Sequence, residues 1–221
     1  MKTACFYDSS IFPWTSSFVG AYGEVRREVE RQARVMTPVY ASHHESIEGT
    51  PAKKHRWLTS TLVFFTIRNT VAINAMTSTS ALLDQVPGLV TAMLVRMEGG
   101  THLKAHRGYS PDTLRCHFGV VVPEPDACVL RVEDEERKWA EREWLVFDDY
   151  LEHEVWHRGT EPRTILLIDV VRPESVVEPQ RIARDFFTLK PGTRFDEELA
   201  RVAGPTQWLE WVEMGQFPVE A

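Results

Sequence analysis

The sequence predicts a mainly β protein, a sandwich or barrel of short strands set between an N-terminal helical layer and a C-terminal helical tail. Three observations carry this. Short segments rich in β-branched residues, bounded by Gly, Pro and Asp, fill the stretch from Leu89 to Pro173. Between Gly20 and Met36 the apolar residues fall near helical spacing. After Pro173 the pattern turns helical again.

In chain order, Gly20–Met36 reads as an amphipathic helix, with Val25, Val29, Ala33 and Met36 on one side and charges between them. Arg56–Ile67 is β-rich through Leu62, Val63, Phe64, Phe65 and Ile67. Ser80–Gln85 suits a short helix capped by Thr79 or Ser80 and ended by Pro87 and Gly88. Strands are expected at Val90–Met97, Leu114–Val122, Cys128–Val132, Trp144–Phe147, Glu152–His157 and Thr164–Val171. Many short strands with turn signals between them favour a sandwich or barrel over a parallel α/β sheet. Pro179–Phe187, Asp196–Val202 and Thr206–Met214 are the helices expected in the tail. The division is therefore one domain over 1–173 and a helical extension over 174–221 packed on it.

The chain has 221 residues, 43% apolar and 26% charged, ordinary for one globular domain. A net charge of −7 argues against a nucleic-acid surface. Three scattered cysteines (Cys5, Cys116, Cys128) suit neither a disulfide framework nor a thiolate zinc site. Met1–Phe18 lacks the basic and apolar regions of a signal peptide, and no apolar run reaches the roughly 20 residues that span a bilayer. The expectation is a cytoplasmic protein without membrane or nucleic-acid partners.

Strand alternation makes a few polar residues interesting together. On Leu114–Val122, Arg115, His117 and Gly119 share one face, and Leu114, Cys116, Phe118 and Val120 the other. His153 is followed on its own face by Val155 and His157. A hairpin turn at Gly159–Thr160 would place Arg163 on the strand next to His153, so that an imidazole and a guanidinium face one cavity. An imidazole binds a transition metal, and a guanidinium grips a carboxylate through two parallel hydrogen bonds. His106 lies in Gly99-Gly100-Thr101-His102-Leu103-Lys104-Ala105-His106-Arg107-Gly108. The bracketing glycines argue against a helix, hence against His102 and His106 as a helical zinc pair, and the glutamate of that motif is missing. Each residue alone has an ordinary reading. A single histidine is more often a surface or core residue, Arg115 and Arg163 suit salt bridges, Asp148-Asp149 suits a turn, and Trp139, Trp144 and Trp156 suit packing. His43, His44 and His55 have no supporting pattern. Spacing alone leaves both readings open.

Three blocks together resemble the aspartyl/asparaginyl β-hydroxylase family. They are Gly100-Thr101-His102 through His106-Arg107-Gly108, Leu114-Arg115-Cys116-His117-Phe118-Gly119, and Phe147-Asp148-Asp149-Tyr150-Leu151-Glu152-His153-Glu154-Val155-Trp156 running on to Arg163 and Asp169-Val170-Val171-Arg172-Pro173. Their order and spacing extend the resemblance over roughly Trp57 to Pro173. It implies a double-stranded β-helix (a jelly-roll, cupin-like core) and an Fe(II)- and 2-oxoglutarate-dependent dioxygenase. O2 would be consumed, and succinate and CO2 released, as an unactivated C–H bond is hydroxylated. It implies that His106 and His153 bind Fe(II), that Arg115 and His117 contact the 1-carboxylate end of 2-oxoglutarate, and that Arg163 pairs with its 5-carboxylate. The usual facial triad has a carboxylate two residues after its first histidine; this chain has Gly108 there, as the family tolerates. Val95 aligns where the family has a serine beside Arg163. The substrate is expected to be an amino acid, a carrier-bound aminoacyl group or a small peptide, with Lys104 and Arg107 as candidate contacts for its carboxylate. The apolar tail (Trp208, Trp211, Phe217) suits packing on the core, a lid, or a contact in a homodimer. A halogenase on the same scaffold and a non-catalytic jelly-roll binding protein are the competing classes.

Overall fold

The computed structural model describes residues 4–38, 47–48, 57–188, 203 and 205–217. The expected helix Asp196–Val202 and the histidines 43, 44 and 55 lie outside the described residues. The elements are β1 (Phe6–Tyr7), α1 (Thr15–Gly20), α2 (Tyr22–Gln32), β2 (Thr37–Pro38), β3 (Ile47–Glu48), β4 (Trp57–Phe64), β5 (Ile67–Arg68), α3 (Thr70–Ala75) and α4 (Thr77–Leu83). Then follow β6 (Leu89–Met97), β7 (Thr101–His106), β8 (Thr113–Val121), β9 (Cys128–Val132), β10 (Glu135–Lys138), β11 (Trp144–Phe147), β12 (His153–His157), β13 (Arg163–Val171), α5 (Pro179–Thr188) and α6 (Pro205–Met214). No helix among the described residues is long and apolar enough to cross a membrane.

The strands form two antiparallel sheets. The larger runs β1-β11-β8-β13-β6-β4-β2 and the smaller β10-β9-β12-β7-β3. From β6 onward the chain passes back and forth between the sheets. β6, β8, β11 and β13 lie in one, and β7, β9, β10 and β12 in the other. That winding is a double-stranded β-helix, the jelly-roll that the family resemblance implies and one form of the sandwich that the strand pattern predicts.

Strand alternation explains why the large sheet is apolar on both faces. Leu114, Cys116, Phe118 and Val120 of β8, with Leu166, Ile168 and Val170 of β13, pack against Phe18, Val25, Val29, Ala72 and Leu83 from α1–α4 and Met76 at the α3–α4 joint. The opposite face, with Val95, Met97, Ile165 and Leu167, meets Leu103, Leu130, Val132 and Val155 of the small sheet. The polar residues of β8 and β13 that share this second face are thus turned to the sandwich interior. A third cluster joins Ile182, Ala183, Trp208 and Val212 of the tail to Phe65, Ile67 and Val90. The tail therefore packs on the end of the large sheet rather than on its outer face.

Helix α4 departs from the sequence reading. It begins at Thr77, so Thr79 and Ser80 lie inside it and neither caps it. Its start is held instead by Glu28, a buried carboxylate on α2. Glu28 accepts from the backbone N–H of Ser78 (2.9 Å) and Thr79 (2.9 Å) and from the Thr79 hydroxyl (2.7 Å). Burial pushes the Glu28 carboxyl up, but these hydrogen bonds outweigh it and hold the group below its ordinary value. A cap supplied 51 residues away in sequence leaves no local signal. Glu28→Ala should cost roughly 1–3 kcal/mol, because it strands those buried donors. Urea denaturation checks this, and an unchanged midpoint would remove Glu28 from the cap.

Candidate active site

Between the sheets lies a cavity lined by Trp57, Val95, Met97, Leu103, His106, Arg115, His117, Leu130, Trp139, Phe147, His153, Val155, Arg163, Ile165 and Leu167. A separate surface groove along Phe6–Ser9 and Trp144–Val146 carries no imidazole. The five residues singled out by sequence as His106, Arg115, His117, His153 and Arg163 all reach the inner cavity. The other two do not. Lys104 and Arg107 are solvent-exposed and absent from its wall. The Arg107 guanidinium instead donates to the Tyr150 carbonyl (3.2 Å).

His106 reaches the interior through an irregularity of β7. Leu103 faces inward and pairs with Val155, whereas His106 pairs with His153. Three residue steps on β7 therefore oppose two on β12, which is a β-bulge at Lys104–Ala105. Without it, the odd spacing would turn His106 away from the cavity. The rings of His106 and His153 come to 4.1 Å between centroids. His106 Nδ1 lies 2.7 Å from the Lys104 carbonyl, and His153 Nδ1 lies 3.0 Å from that of Leu151. A carbonyl only accepts, so both Nδ1 atoms carry the hydrogen and both Nε2 atoms keep their lone pairs. Burial lowers both rings, and for His153 the neighbouring His106 and Arg115 add to it, taking it to about 3. Both imidazoles are thus neutral at pH 7, the state a metal requires. Among the described residues no set of three His, Cys, Asp or Glu side chains is placed to hold an ion.

Arg163 reaches the same cavity by a route other than the expected hairpin. β12 is already flanked by β7 and β9 and has no free edge. The chain instead crosses to the large sheet, where β13 lies between β6 and β8. Glu124 pins the crossing by accepting from the N–H groups of Thr160 and Glu161, both at 2.7 Å. His153 and Arg163 therefore sit on opposite sheets and face each other across the interior. Arg163 is 2% exposed, yet its Nε and Nη1 have no hydrogen-bond partner, and Nη2 reaches only the Met97 sulfur at 4.0 Å. Its Cζ lies 4.1 Å over the Trp139 ring. Burial lowers it to about 10. A buried guanidinium without an anion is costly, and its fork of donors has the geometry to grip a carboxylate.

His117 presents a second unmet donor. Trp139 Nε1–H donates to His117 Nδ1 (3.3 Å), and His117 Nε2 is buried without a partner. Arg115 is more committed than the sequence suggests. Its Nε and Nη2 donate to Asp169 at 2.8 and 2.9 Å, and Nη2 lies 3.1 Å from Asp149. Burial lowers Arg115, but Asp149 and Asp169 outweigh it and hold the charge in place. Tyr109 also donates to Asp169 (3.2 Å) while its ring meets Phe65 and Phe186, linking the tail cluster to this ion pair.

Asp149 reads along the chain as a turn residue and carries no local signal of a place in the site. Its carboxyl is fully buried, and burial pushes it up, with Arg115 opposing. It packs against Gly108, whose N–H donates to the Asp149 carbonyl at 2.6 Å. A Cβ built on Gly108 would overlap the Asp149 carboxyl. The space a side chain at position 108 would need is thus taken by a carboxyl arriving from the β11–β12 loop. Gly108→Asp should therefore lower stability and leave Mn(II) affinity no higher, by roughly 1–3 kcal/mol of overpacking. Thermal melts and Mn(II) titration test this, and tighter metal binding at an unchanged melting temperature would refute it.

A family model described as Aspartyl/Asparaginyl beta-hydroxylase matches residues 20–173. The chain is 36% identical over 172 residues to an ornithine lipid ester-linked acyl 2-hydroxylase of Rhizobium tropici, covering 76% of this chain and 60% of that protein. It is 28% identical over 183 residues to an aspartyl/asparaginyl beta-hydroxylase of Homo sapiens, covering 76% of this chain and 24% of that protein. It spans less than two thirds of the length of either relative. A Pseudomonas putida prolyl-4-hydroxylase structure is similar at TM-score 0.47 and 17% identity, over 71% of this chain and 87% of that one.

Proposed function

The chain belongs to the aspartyl/asparaginyl β-hydroxylase family, and from that premise we propose that it is an Fe(II)- and 2-oxoglutarate-dependent dioxygenase that hydroxylates an unactivated C–H bond. One observation carries the reading. Two neutral imidazoles with free Nε2 lone pairs face a buried guanidinium without an anion across one cavity. Rings 4.1 Å apart suit two ligands converging on one ion with bonds of about 2.1 Å.

His106 and His153 would hold the metal, and their carbonyl partners fix the tautomer that binding needs. Arg163 would take the 5-carboxylate of 2-oxoglutarate, and His117 would donate Nε2–H to its 1-carboxylate end. Arg115 lines the same cavity with its charge anchored by Asp169 and would contact that end as well. Val95, Ile165 and Leu167 line the same cavity and would exclude water from the chain of the keto acid. Bound iron and 2-oxoglutarate supply the oxidation, which turns O2 and the keto acid into succinate, CO2 and one oxygen atom for the substrate. The protein's part is orientation.

The Asp149 carboxyl filling the space beside Gly108 disfavours an anion there, so hydroxylation is preferred to halogenation. The substrate we propose is an amino acid, an aminoacyl group or a small peptide. The similarity to the Rhizobium tropici enzyme favours a second reading, the acyl chain of an amino-acid lipid. Both groups should be incubated with Fe(II), 2-oxoglutarate and ascorbate and screened by mass spectrometry for a gain of about 16 Da. Substrate-dependent succinate without metal, or no 2-oxoglutarate binding with Mn(II), would overturn the reading.

A further inference from the structure

Trp139 looks at first like packing. It is 1% exposed and sits in the segment joining β10 to β11. Yet this one side chain touches two of the residues with unmet donors. Its indole N–H reaches His117 Nδ1 at 3.3 Å, and its ring face lies 4.1 Å beneath the Arg163 Cζ. An indole N–H only donates, so it requires a lone pair on His117 Nδ1. In a neutral imidazole the hydrogen must then sit on Nε2. This is the reverse of His106 and His153, whose carbonyl partners keep the hydrogen on Nδ1. The protein thus sets two imidazoles to accept and a third to donate. Were His117 in the other tautomer, it would present a lone pair to a carboxylate oxygen and repel it. The same ring limits where the Arg163 guanidinium can lie, since a cation held over an aromatic face is attracted to it.

We propose that Trp139 is a positioning residue for the cosubstrate, fixing His117 as a donor and Arg163 on its ring face from a single side chain. The proposal rests on the reading that the cavity takes 2-oxoglutarate, but its core concerns His117 and can be read without any ligand. In 15N-histidine-labelled protein, long-range nitrogen–proton correlations should show His117 protonated on Nε2. Trp139→Phe keeps a ring for Arg163 and removes the N–H. The Nδ1–H form of His117 should then become populated. Binding of 2-oxoglutarate to the Mn(II) protein should weaken about tenfold, the effect of one misplaced donor to a charged group, while Mn(II) affinity should hold. Trp139→Leu, which also removes the ring face, should weaken binding further. In a His117→Ala background, Trp139→Phe should cost nothing more. A wild-type His117 protonated on Nδ1 overturns the proposal even if no variant folds. So does a Trp139→Phe protein that keeps the Nε2–H form or binds 2-oxoglutarate as before. Absence of 2-oxoglutarate binding in the wild type would count against the proposed function instead, and the tautomer would still decide the role of Trp139.

Discussion

His153→Ala is expected to abolish substrate-dependent succinate release, and His106→Ala to do the same. Each removes one of two imidazoles whose rings lie 4.1 Å apart. Since no third protein side chain among the described residues is placed to share an ion, nothing nearby would replace either of the two proposed ligands. Removing an outer partner of a metal ligand costs about 10–100-fold in affinity or activity, so loss of the ligand itself should exceed that. The fold should survive, because the side chains face a cavity rather than the packed face beneath α1–α4. Paired measurements of succinate release and Mn(II) affinity make the test. Full turnover by either variant would remove that histidine from the site.

Arg163→Met should move stability and binding in opposite directions. In the ligand-free protein Arg163 is a buried charge whose Nε and Nη1 have no partner. Exchanging it for an apolar side chain of similar length removes that desolvation cost, and replacing buried charges in this way is neutral or stabilising by about 1–4 kcal/mol. The melting temperature without ligand should therefore rise or hold. Affinity for 2-oxoglutarate should collapse, because truncating one side of a buried charge pair costs about 2–5 kcal/mol, roughly 30- to 5,000-fold. A thermal-shift series with and without 2-oxoglutarate reads both effects. Should the variant melt lower and still bind the keto acid, Arg163 would be a structural residue and its carboxylate partner would have to be sought elsewhere.

Much of the site was legible because strand alternation is local. The two-residue period placed Arg115 and His117 on one face of β8 and Leu114, Cys116, Phe118 and Val120 on the other, and the structure keeps that division. The strands Cys128–Val132 and Trp144–Phe147 appear with the bounds read from composition. The order of the histidine and arginine blocks pointed to the family, which the match over 20–173 bears out.

The rest depends on contacts between distant parts of the chain. β7 was not anticipated, since its glycine-flanked sequence signalled only the absence of a helix. The bulge that turns His106 inward exists only against β12. Whether Arg163 stands beside His153 or opposite it depends on which strand edges are free, and that follows from the pairing of all the others. Asp149 and Trp139 read locally as a turn and a core residue. They acquire a place in the site only when Gly108, His117 and Arg163 are brought to them. Residue types and face alternation are written along the chain, because each depends on a residue and its immediate neighbours. Register, sheet partnership and the company a side chain keeps are set by the free energy of the assembled sandwich.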